Sequence, residues 1–320
     1  MQQLNLAFIG SAADAQQYGS ISNRLHGARW VAFAPLEKTQ SSAGREVLGG
    51  ARASASLADL LTHHQKTVDA LVIHAPPAAL PDLVKTAAQS DKPMLVGPLL
   101  ANTSGALRAI TETSSQGTLM PATPWRFIPA IQAVKASIDA GKLGEIGLIR
   151  IHRWNALATE GTYGIPSRII PDIDIATWFF GSQPQKLVAQ QSPLADHYIQ
   201  IHLHFENGGM VVIDETSALP NGGDYFSLTV IGGTGAAYAD DHRNMNLIVD
   251  GVYPHAIRTG QRAVHLAQQL QKFIDTLAGT LQSAVTTHDL LKVLQVSDAV
   301  VEVAATHRVS VWEDGNYVCG

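Results

Sequence analysis

The chain has 320 residues, of which 46% are hydrophobic and 15% are charged, with a formal net charge of −5 at pH 7. This length suits about two domains with buried cores, and the charge gives no electrostatic reason to expect nucleic acid or a membrane as partner. The single cysteine, Cys319, excludes an intrachain disulfide and a cysteine-based zinc site. The first residues form no basic leader, and no apolar run reaches about 18 residues. We therefore expect a cytoplasmic protein that binds a small molecule.

The first third of the chain alternates apolar runs with segments of helical spacing. The runs are residues 4–9, 29–34, 68–73 and 92–96. Continuous apolar runs are typical of strands that are buried on both faces, and helices between them are typical of crossover connections. The pattern predicts an α/β Rossmann domain with a doubly wound parallel sheet over residues 1–120.

Small residues follow the first apolar run, where a phosphate-binding turn is expected. Gly10 takes the first place of the fingerprint G-x-G-x-x-G/A and Ala15 is an accepted third residue, whereas Ala12 replaces the second glycine. Backbone N–H groups at such a helix start can face a cofactor's pyrophosphate. We predict cofactor contacts from Gly10, Ser11, Ala12, Ala13, Pro76, Gly97, Pro98 and Arg126.

The second strand ends without the acidic residue that usually binds the ribose hydroxyls. Its last residues, 34–36, are Ala-Pro-Leu, and Glu37 and Lys38 follow. Glu37 is a candidate for the ribose and Lys38 for a 2′-phosphate, and the alternative is a solvated loop. The sequence leaves the choice between NAD and NADP open, and also whether either is retained.

The pattern changes from residue 121 onward. A helix is predicted over residues 130–140 and another ends at Gly181; the later segments are mostly alternating strands with glycine hairpins, followed by two long helices. This predicts an α+β domain with a large, mostly antiparallel sheet over residues 121–320. The later strands and helices are predicted at residues 198–205, 210–216, 225–231 and 236–239, and at 263–277 and 288–305.

Four stretches of the chain share the pattern of one known family. They are the turn at Ile9 and Gly10, residues 92–101 (KPMLVGPLLA), residues 125–129 with 141–147 (WRFIP and GKLGEIG), and residues 172–181 (DIDIATWFFG). In this order and spacing they resemble the glucose-fructose oxidoreductase / inositol dehydrogenase family (Gfo/Idh/MocA) over essentially the whole chain. The resemblance implies an NAD(P)-binding domain, a carbohydrate-like ligand, and a homo-oligomer formed through the C-terminal sheet.

The residues that carry the family's hydride transfer are missing from the matching positions. The family uses a lysine in E-K-P and a histidine in H-x-x-D. In the first motif this chain has Gly97-Pro98-Leu99, or Val96-Gly97-Pro98 if the gap falls one residue earlier, and Pro171 stands three residues before Asp174. The resemblance therefore implies a ligand-binding or regulatory relative, or one with altered redox chemistry. The alternative is an active NAD(P)-dependent dehydrogenase that acts on CH–OH groups of a sugar or polyol through substitute residues. A purely structural subunit is a third possibility.

Several polar residues lie on or beside segments expected to face the nicotinamide end of a cofactor. Tyr163 and His152 are candidate proton donors, together with Asp174. The alternative is that Arg126 and Asp174 pair across the domain boundary and that His152 lies on a strand face away from the site. The other polar residues in these segments are Arg153, Arg168 and Asp172.

Two histidines, His202 and His204, lie on one face of the predicted strand at residues 198–205. Such a pair can bind zinc or nickel when a third ligand is available, and His197 and His242 are the candidates. We favour a polar outer sheet face that contacts another copy, and we predict no metal site.

Overall fold

The computed structural model of the chain describes residues 3–37, 46–113, 119–156, 164–192, 198–219, 225–240, 245–250, 254–258, 264–281 and 285–320. The chain folds into two units. The N-terminal unit comprises Met1–Phe127 and Ala263–Leu291, and the C-terminal unit comprises Ile128–Arg262 and Lys292–Gly320. The first crossing between the units lies seven residues after the predicted boundary, at 127 against 120. Residues 263–291, which a single boundary assigns to the second domain, belong to the N-terminal unit.

The N-terminal unit is built on a parallel sheet. Its strands are β1 (Leu4–Gly10), β2 (Ala28–Pro35), β3 (Arg52–Ala53), β4 (Ala70–His74), β5 (Met94–Gly97) and β6 (Leu119–Pro121). Among the described residues their order is β3-β2-β1-β4-β5-β6, which confirms the predicted doubly wound sheet. The helices between the strands are α1 (Ala12–Ser20), α2 (Leu57–His64), α3 (Leu80–Ala88) and α4 (Ser104–Thr113).

The C-terminal unit is built on a mixed sheet. Its strands are β7 (Ile146–Ala156), β8 (Lys186–Gln191), β9 (Tyr198–His204), β10 (Met210–Leu219), β11 (Tyr225–Gly232), β12 (Gly235–Asp240), β13 (Met245–Asp250), β14 (Pro254–Arg258), β15 (Ser310–Glu313) and β16 (Asn316–Cys319). In the described part of the chain their order is β14-β13-β12-β11-β7-β10-β9-β8-β15-β16. β7 and β10 pair in parallel and the other described pairs are antiparallel. The predicted α+β domain is therefore confirmed.

The helices of this part of the chain are α5 (Pro129–Asp139), α6 (Ile165–Phe180) and α8 (Thr287–Thr306). α6 begins at Ile165, and Pro166 suits its first turn, because the missing N–H of proline has no partner to lose there. It ends at Gly181, whose φ of +70° is the left-handed conformation that glycine adopts at helix ends. The residue that replaces the family's histidine, Pro171, lies inside this helix.

The two faces of the C-terminal sheet differ in burial. In β9 the residues Ile199, Ile201 and Leu203 are fully buried, while the residues between them are partly exposed, as the sequence alternation predicts. The buried residues lie on the face that α6 covers, which we call the inner face. The opposite face is called the outer face, and Tyr198 and His202 lie on it.

A helix from late in the chain completes the N-terminal unit. α7 (His265–Leu277) has Leu270, Phe273 and Ile274 in the same buried core as Phe8 and Phe33 of the parallel sheet. Apolar residues at this spacing predict that one helix face is buried, but not which sheet covers it. This is why the sequence alone assigns residues 263–277 to the wrong unit. Among the described residues, no helix has both the length and the apolarity to span a membrane.

Candidate functional site

The parallel sheet brings most of the predicted cofactor contacts to one edge. Gly10 ends β1, Pro76 follows β4, and Gly97 and Pro98 follow or end β5, so all four lie at the carboxyl ends of neighbouring strands. Ligands of doubly wound sheets bind at this edge. Arg126 follows β6 in a short 3₁₀ helix and is buried.

The turn between β1 and α1 is closed by hydrogen bonds within the chain. The backbone N–H and the hydroxyl of Ser11 donate to Oδ2 of Asp14 at 3.3 and 2.5 Å, and the Asp14 N–H donates to Ser11 Oγ at 3.1 Å. This is a capping box, in which the helix start satisfies its own donors. The carboxylate of Asp14 therefore lies at the positive end of α1, where an anion is stabilised.

Two further side chains surround Asp14. His74 Nε2 lies 3.5 Å from Asp14 Oδ1, and the hydroxyl of Tyr18 lies 3.5 Å from His74 Nδ1. Burial lowers the pKa of His74 below its ordinary value, although Asp14 opposes this shift, and burial raises the pKa of Tyr18. Both neighbours are therefore neutral at pH 7.

The glycines of this edge are required by packing within the unit. A Cβ atom on Gly10 would lie 2.7 Å from the ring of Phe8 and 3.0 Å from the carbonyl oxygen of His74. A Cβ atom on Gly97 would lie 2.3 Å from the Cβ of Ala122. Close approach of neighbouring chain segments therefore accounts for both glycines, whether or not a ligand binds above them.

On the inner face of the C-terminal sheet, a complete ion pair joins β7 to α6. Arg153 donates to both carboxylate oxygens of Asp172 at 2.7 to 3.0 Å, and Asp172 is fully buried. The guanidinium group also lies 4.6 Å from the ring centre of Phe226. A bidentate pair of this geometry satisfies both partners and orients α6 on the sheet.

A second buried carboxyl, Glu215 of β10, lies beside this pair. It is fully buried, and neither oxygen accepts a hydrogen bond from a described residue. Arg168 of α6 places Nη2 at 3.5 Å from Glu215 Oε2, and its Nη1 donates to Ser217 Oγ. Burial raises the pKa of Glu215 from its ordinary 4.5 to about 7, with Arg168 opposing the shift and Asp172 adding to it.

His152 and Asp174, the two predicted catalytic residues that the structure describes, are not brought together. His152 lies on the outer face, where Nδ1 is 3.2 Å from Asp214 Oδ2, and Tyr198 also hydrogen-bonds to Asp214. Asp174 is buried in α6, on the opposite side of the sheet from His152. Tyr163 lies outside the described residues, as does Lys38.

The histidines of β9 lie as the alternation predicts, with His202 and His204 both on the outer face. Across the residues that the structure describes, no three histidine, cysteine or acidic side chains are grouped as a metal site. The candidates for a third ligand, His197 and His242, lie outside the described residues.

Two features of this site were not among the residues predicted from the sequence. The spacing Ser11-x-x-Asp14 resembles a capping-box signature and predicts that the turn is occupied by its own carboxylate. In the strand MVVIDETSAL, alternation places Glu215 on the same face as the buried Val211 and Ile213, which marks an acidic residue on a core face. Both signals are readable from the sequence, although neither indicates which groups they meet.

The chain is similar to several known proteins. Residues 131–238 match the model of the GFO/IDH/MocA C-terminal domain. Inositol 2-dehydrogenase from Rhizobium meliloti is 25% identical over 266 residues, which are 75% of this chain and 80% of that protein. An oxidoreductase from Agrobacterium radiobacter, solved with NAD⁺, L-tartaric acid and magnesium, has a TM-score of 0.85 at 19% identity and covers 97% of this chain and 98% of its own. A myo-inositol 2-dehydrogenase from Lactobacillus plantarum has a TM-score of 0.80 at 17% identity and covers 98% of this chain and 100% of its own.

These matches confirm the expected resemblance to the Gfo/Idh/MocA family. The two units of the chain have the fold of these relatives. The family is one of oxidoreductases, and NAD⁺ is present in the solved neighbour from Agrobacterium radiobacter.

The first turn of this chain does not fit a pyrophosphate in the manner of the fingerprint. The N–H groups of Ser11 and Asp14 already donate within the turn, Ala12 adds a methyl group at the second glycine position, and Asp14 adds a carboxylate to the first turn of α1. Two anions at one helix start repel each other. We therefore derive no chemical step through a dinucleotide in this chain.

Proposed function

We propose that this chain is a ligand-binding member of the Gfo/Idh/MocA family that has lost the family's hydride transfer. The observation that carries the proposal is the turn at Ser11 and Asp14, in which the Asp14 carboxylate accepts from the N–H and hydroxyl of Ser11 and the Asp14 N–H donates to Ser11 Oγ. Two of the three named relatives are inositol 2-dehydrogenases, which supports a small polyhydroxylated ligand. We assign its binding to the C-terminal unit.

The sequence of the two catalytic motifs supports the same conclusion. Gly97 and Pro98 replace the lysine motif, and Pro171 replaces the histidine. A positioned acid or base contributes about 10²- to 10⁴-fold to a rate. Proline has no proton to exchange. His152 lies on the outer face, so its position does not support a role in place of the missing histidine beside α6.

Titration with NADH and NADPH tests the proposal. We expect no binding to the wild-type chain at millimolar cofactor, measured by fluorescence and calorimetry, and a gain of binding in the double variant Ala12→Gly, Asp14→Ala. Asp59→Ala is the matched control, because Asp59 forms the same kind of cap with Ser56 at the start of α2. Tight binding of either cofactor to the wild-type chain contradicts the proposal.

The second candidate is an NAD(P)-dependent dehydrogenase of a sugar or polyol that uses substitute residues. The observation that favours it is Glu215, a buried carboxyl whose pKa of about 7 suits general acid–base chemistry at neutral pH. Turnover against a panel of sugars, polyols and their oxidised forms separates the two functions. A rate that is abolished in Tyr163→Phe or His152→Ala, while cofactor binds, favours the dehydrogenase.

We also propose that copies of the chain pair through the outer face, in the reducing environment of the cytoplasm. Three large apolar side chains of this face, Met210, Ile231 and Tyr238, are 39 to 44% exposed. They lie on β10, β11 and β12, so an apolar strip crosses the middle of the sheet. Exposed apolar surface of this kind is typical of a contact between proteins.

A further inference from the structure

The group formed by Arg168, Ser217 and Glu215 contains polar atoms that make no hydrogen bond with the described residues. Arg168 Nε and both oxygens of Glu215 have no hydrogen-bond partner among the described residues. Arginine has five N–H donors, and buried polar atoms are rarely left without partners. By contrast, both carboxylate oxygens of Asp172 accept from Arg153. The unused capacity therefore lies at Arg168 and Glu215.

Access to this group is unequal. The side chain of Arg168 is 13% exposed, whereas that of Glu215 is 0% exposed. A solute that approaches the group therefore meets the side chain of Arg168 before the carboxyl of Glu215, while Ser217, 6% exposed, lies beside Arg168. The carboxyl of Glu215 lies behind them and functions as an internal counter-charge.

We propose that Arg168 and Ser217 bind a carboxylate of the small-molecule ligand, and that Glu215 takes up one proton when they do so. The inference rests on the proposed function only in that the C-terminal unit binds a small molecule. The ligand class is thereby a polyhydroxylated acid. A guanidinium group binds a carboxylate with two parallel N–H···O bonds, and the hydroxyl adds a third donor.

Charge balance favours a carboxylate over a phosphate dianion. The charged groups that act on Glu215 are Arg168 and Asp172 on α6, Arg153 on β7 and Asp214 on its own strand. Asp172 neutralises Arg153. When Glu215 takes up one proton, the positive charge of Arg168 no longer has a counter-charge within the group. A single released charge matches a monoanion. Two anions beside one guanidinium group would repel each other, which is why binding requires the proton.

Proton uptake has a measurable consequence. Burial holds the pKa of Glu215 at about 7, so this carboxyl is largely ionised at pH 8 and largely protonated at pH 6. A ligand that binds only the protonated form therefore loses affinity as the pH rises above 7, by up to about tenfold per pH unit. A neutral ligand that does not contact Arg168 has no such dependence.

The test is calorimetric titration of the full chain, without dinucleotide, with D-glucuronate and D-gluconate and with the neutral D-glucose and D-sorbitol. At about pH 8, repeated in buffers of different ionisation enthalpy, we expect the carboxylates to bind about tenfold or more tightly than their neutral counterparts, with uptake of nearly one proton. Inorganic phosphate is a third arm. Tighter binding of phosphate than of either carboxylate overturns the assignment to carboxylates, as does failure of both carboxylates to bind.

Variants separate recognition from proton uptake. Glu215→Gln should bind the carboxylate without proton uptake and without the pH dependence. Arg168→Gln should lower the affinity for the carboxylate by about tenfold or more, and Ser217→Ala should lower it less. Arg150→Gln, on the exposed outer face of β7, is the control and should bind as the wild type does. Circular dichroism checks that each variant is folded. If a charge variant unfolds, Ser217→Ala still tests the site, because it changes no charge. Unchanged proton uptake in Glu215→Gln overturns the proposal, whereas cofactor binding by the wild-type chain overturns only the proposed function.

Discussion

Replacing Glu215 by glutamine removes a titrating proton from the inner face of the C-terminal sheet while nearly preserving the shape of the side chain. The folded protein holds this proton up to a pKa of about 7, whereas an unfolded chain releases it near the ordinary 4.5. The folded state therefore binds more protons between these two values, and stability falls as the pH rises through this window. The difference, about 7 minus 4.5, corresponds to about 3 kcal/mol at 1.36 kcal/mol per pH unit.

Glu215→Gln should not show this loss. We expect the variant and the wild type to have similar free energies of unfolding near pH 4.5, and the variant to be more stable by up to about 3 kcal/mol at about pH 8. The assay is urea unfolding across this range, with Glu206→Gln as control, because Glu206 is exposed on the turn before β10. Parallel curves for wild type and Glu215→Gln would refute the conclusion that a buried, titrating carboxyl lies here.

Two other predictions concern the same unit. Asp172→Asn removes the bidentate carboxylate from the buried Arg153 and should lower the free energy of unfolding by about 3 to 5 kcal/mol. The control is Asp139→Asn, in the exposed ion pair with Lys135, which should lower it by less than about 1 kcal/mol. Equal losses of the two variants in urea unfolding would contradict this ranking. Ile231→Lys places a charge in the exposed strip of the outer face and should convert a dimer or larger assembly to monomer in light scattering, with Val301→Lys as control on α8. A wild-type chain that is monomeric at high concentration would disprove the pairing.

The parallel sheet could be predicted because its signal is local. The apolar runs that became β1 and β4 are buried on both faces, and few other structures accept such runs between helices. The faces of β9 followed from alternation in the same way, since a strand turns successive side chains to opposite sides. In both cases the sequence needs only to show that residues are buried.

The position of α7 and the state of Glu215 could not be predicted, because both depend on what lies opposite. The stripe with Leu270 and Phe273 shows that one face of a helix is buried, yet two sheets were available to cover it. Likewise, alternation places Glu215 on the inner face but does not show that Arg168 of α6 meets it at 3.5 Å. Sequence patterns specify burial, whereas the identity of the partner depends on the tertiary fold.

The carboxylates of Asp14 and Glu215 differ in how readily they can give way to an anionic ligand. Asp14 accepts two hydrogen bonds from Ser11 at the start of α1, so displacing its carboxylate breaks both of them. Glu215 accepts none from the described residues, so one proton removes its charge and no hydrogen bond is lost. Protonation of Glu215 is available near neutral pH, because burial raises its pKa to about 7. We therefore expect an anionic ligand to bind beside Arg168 in the C-terminal unit without any change in the turn of the parallel sheet.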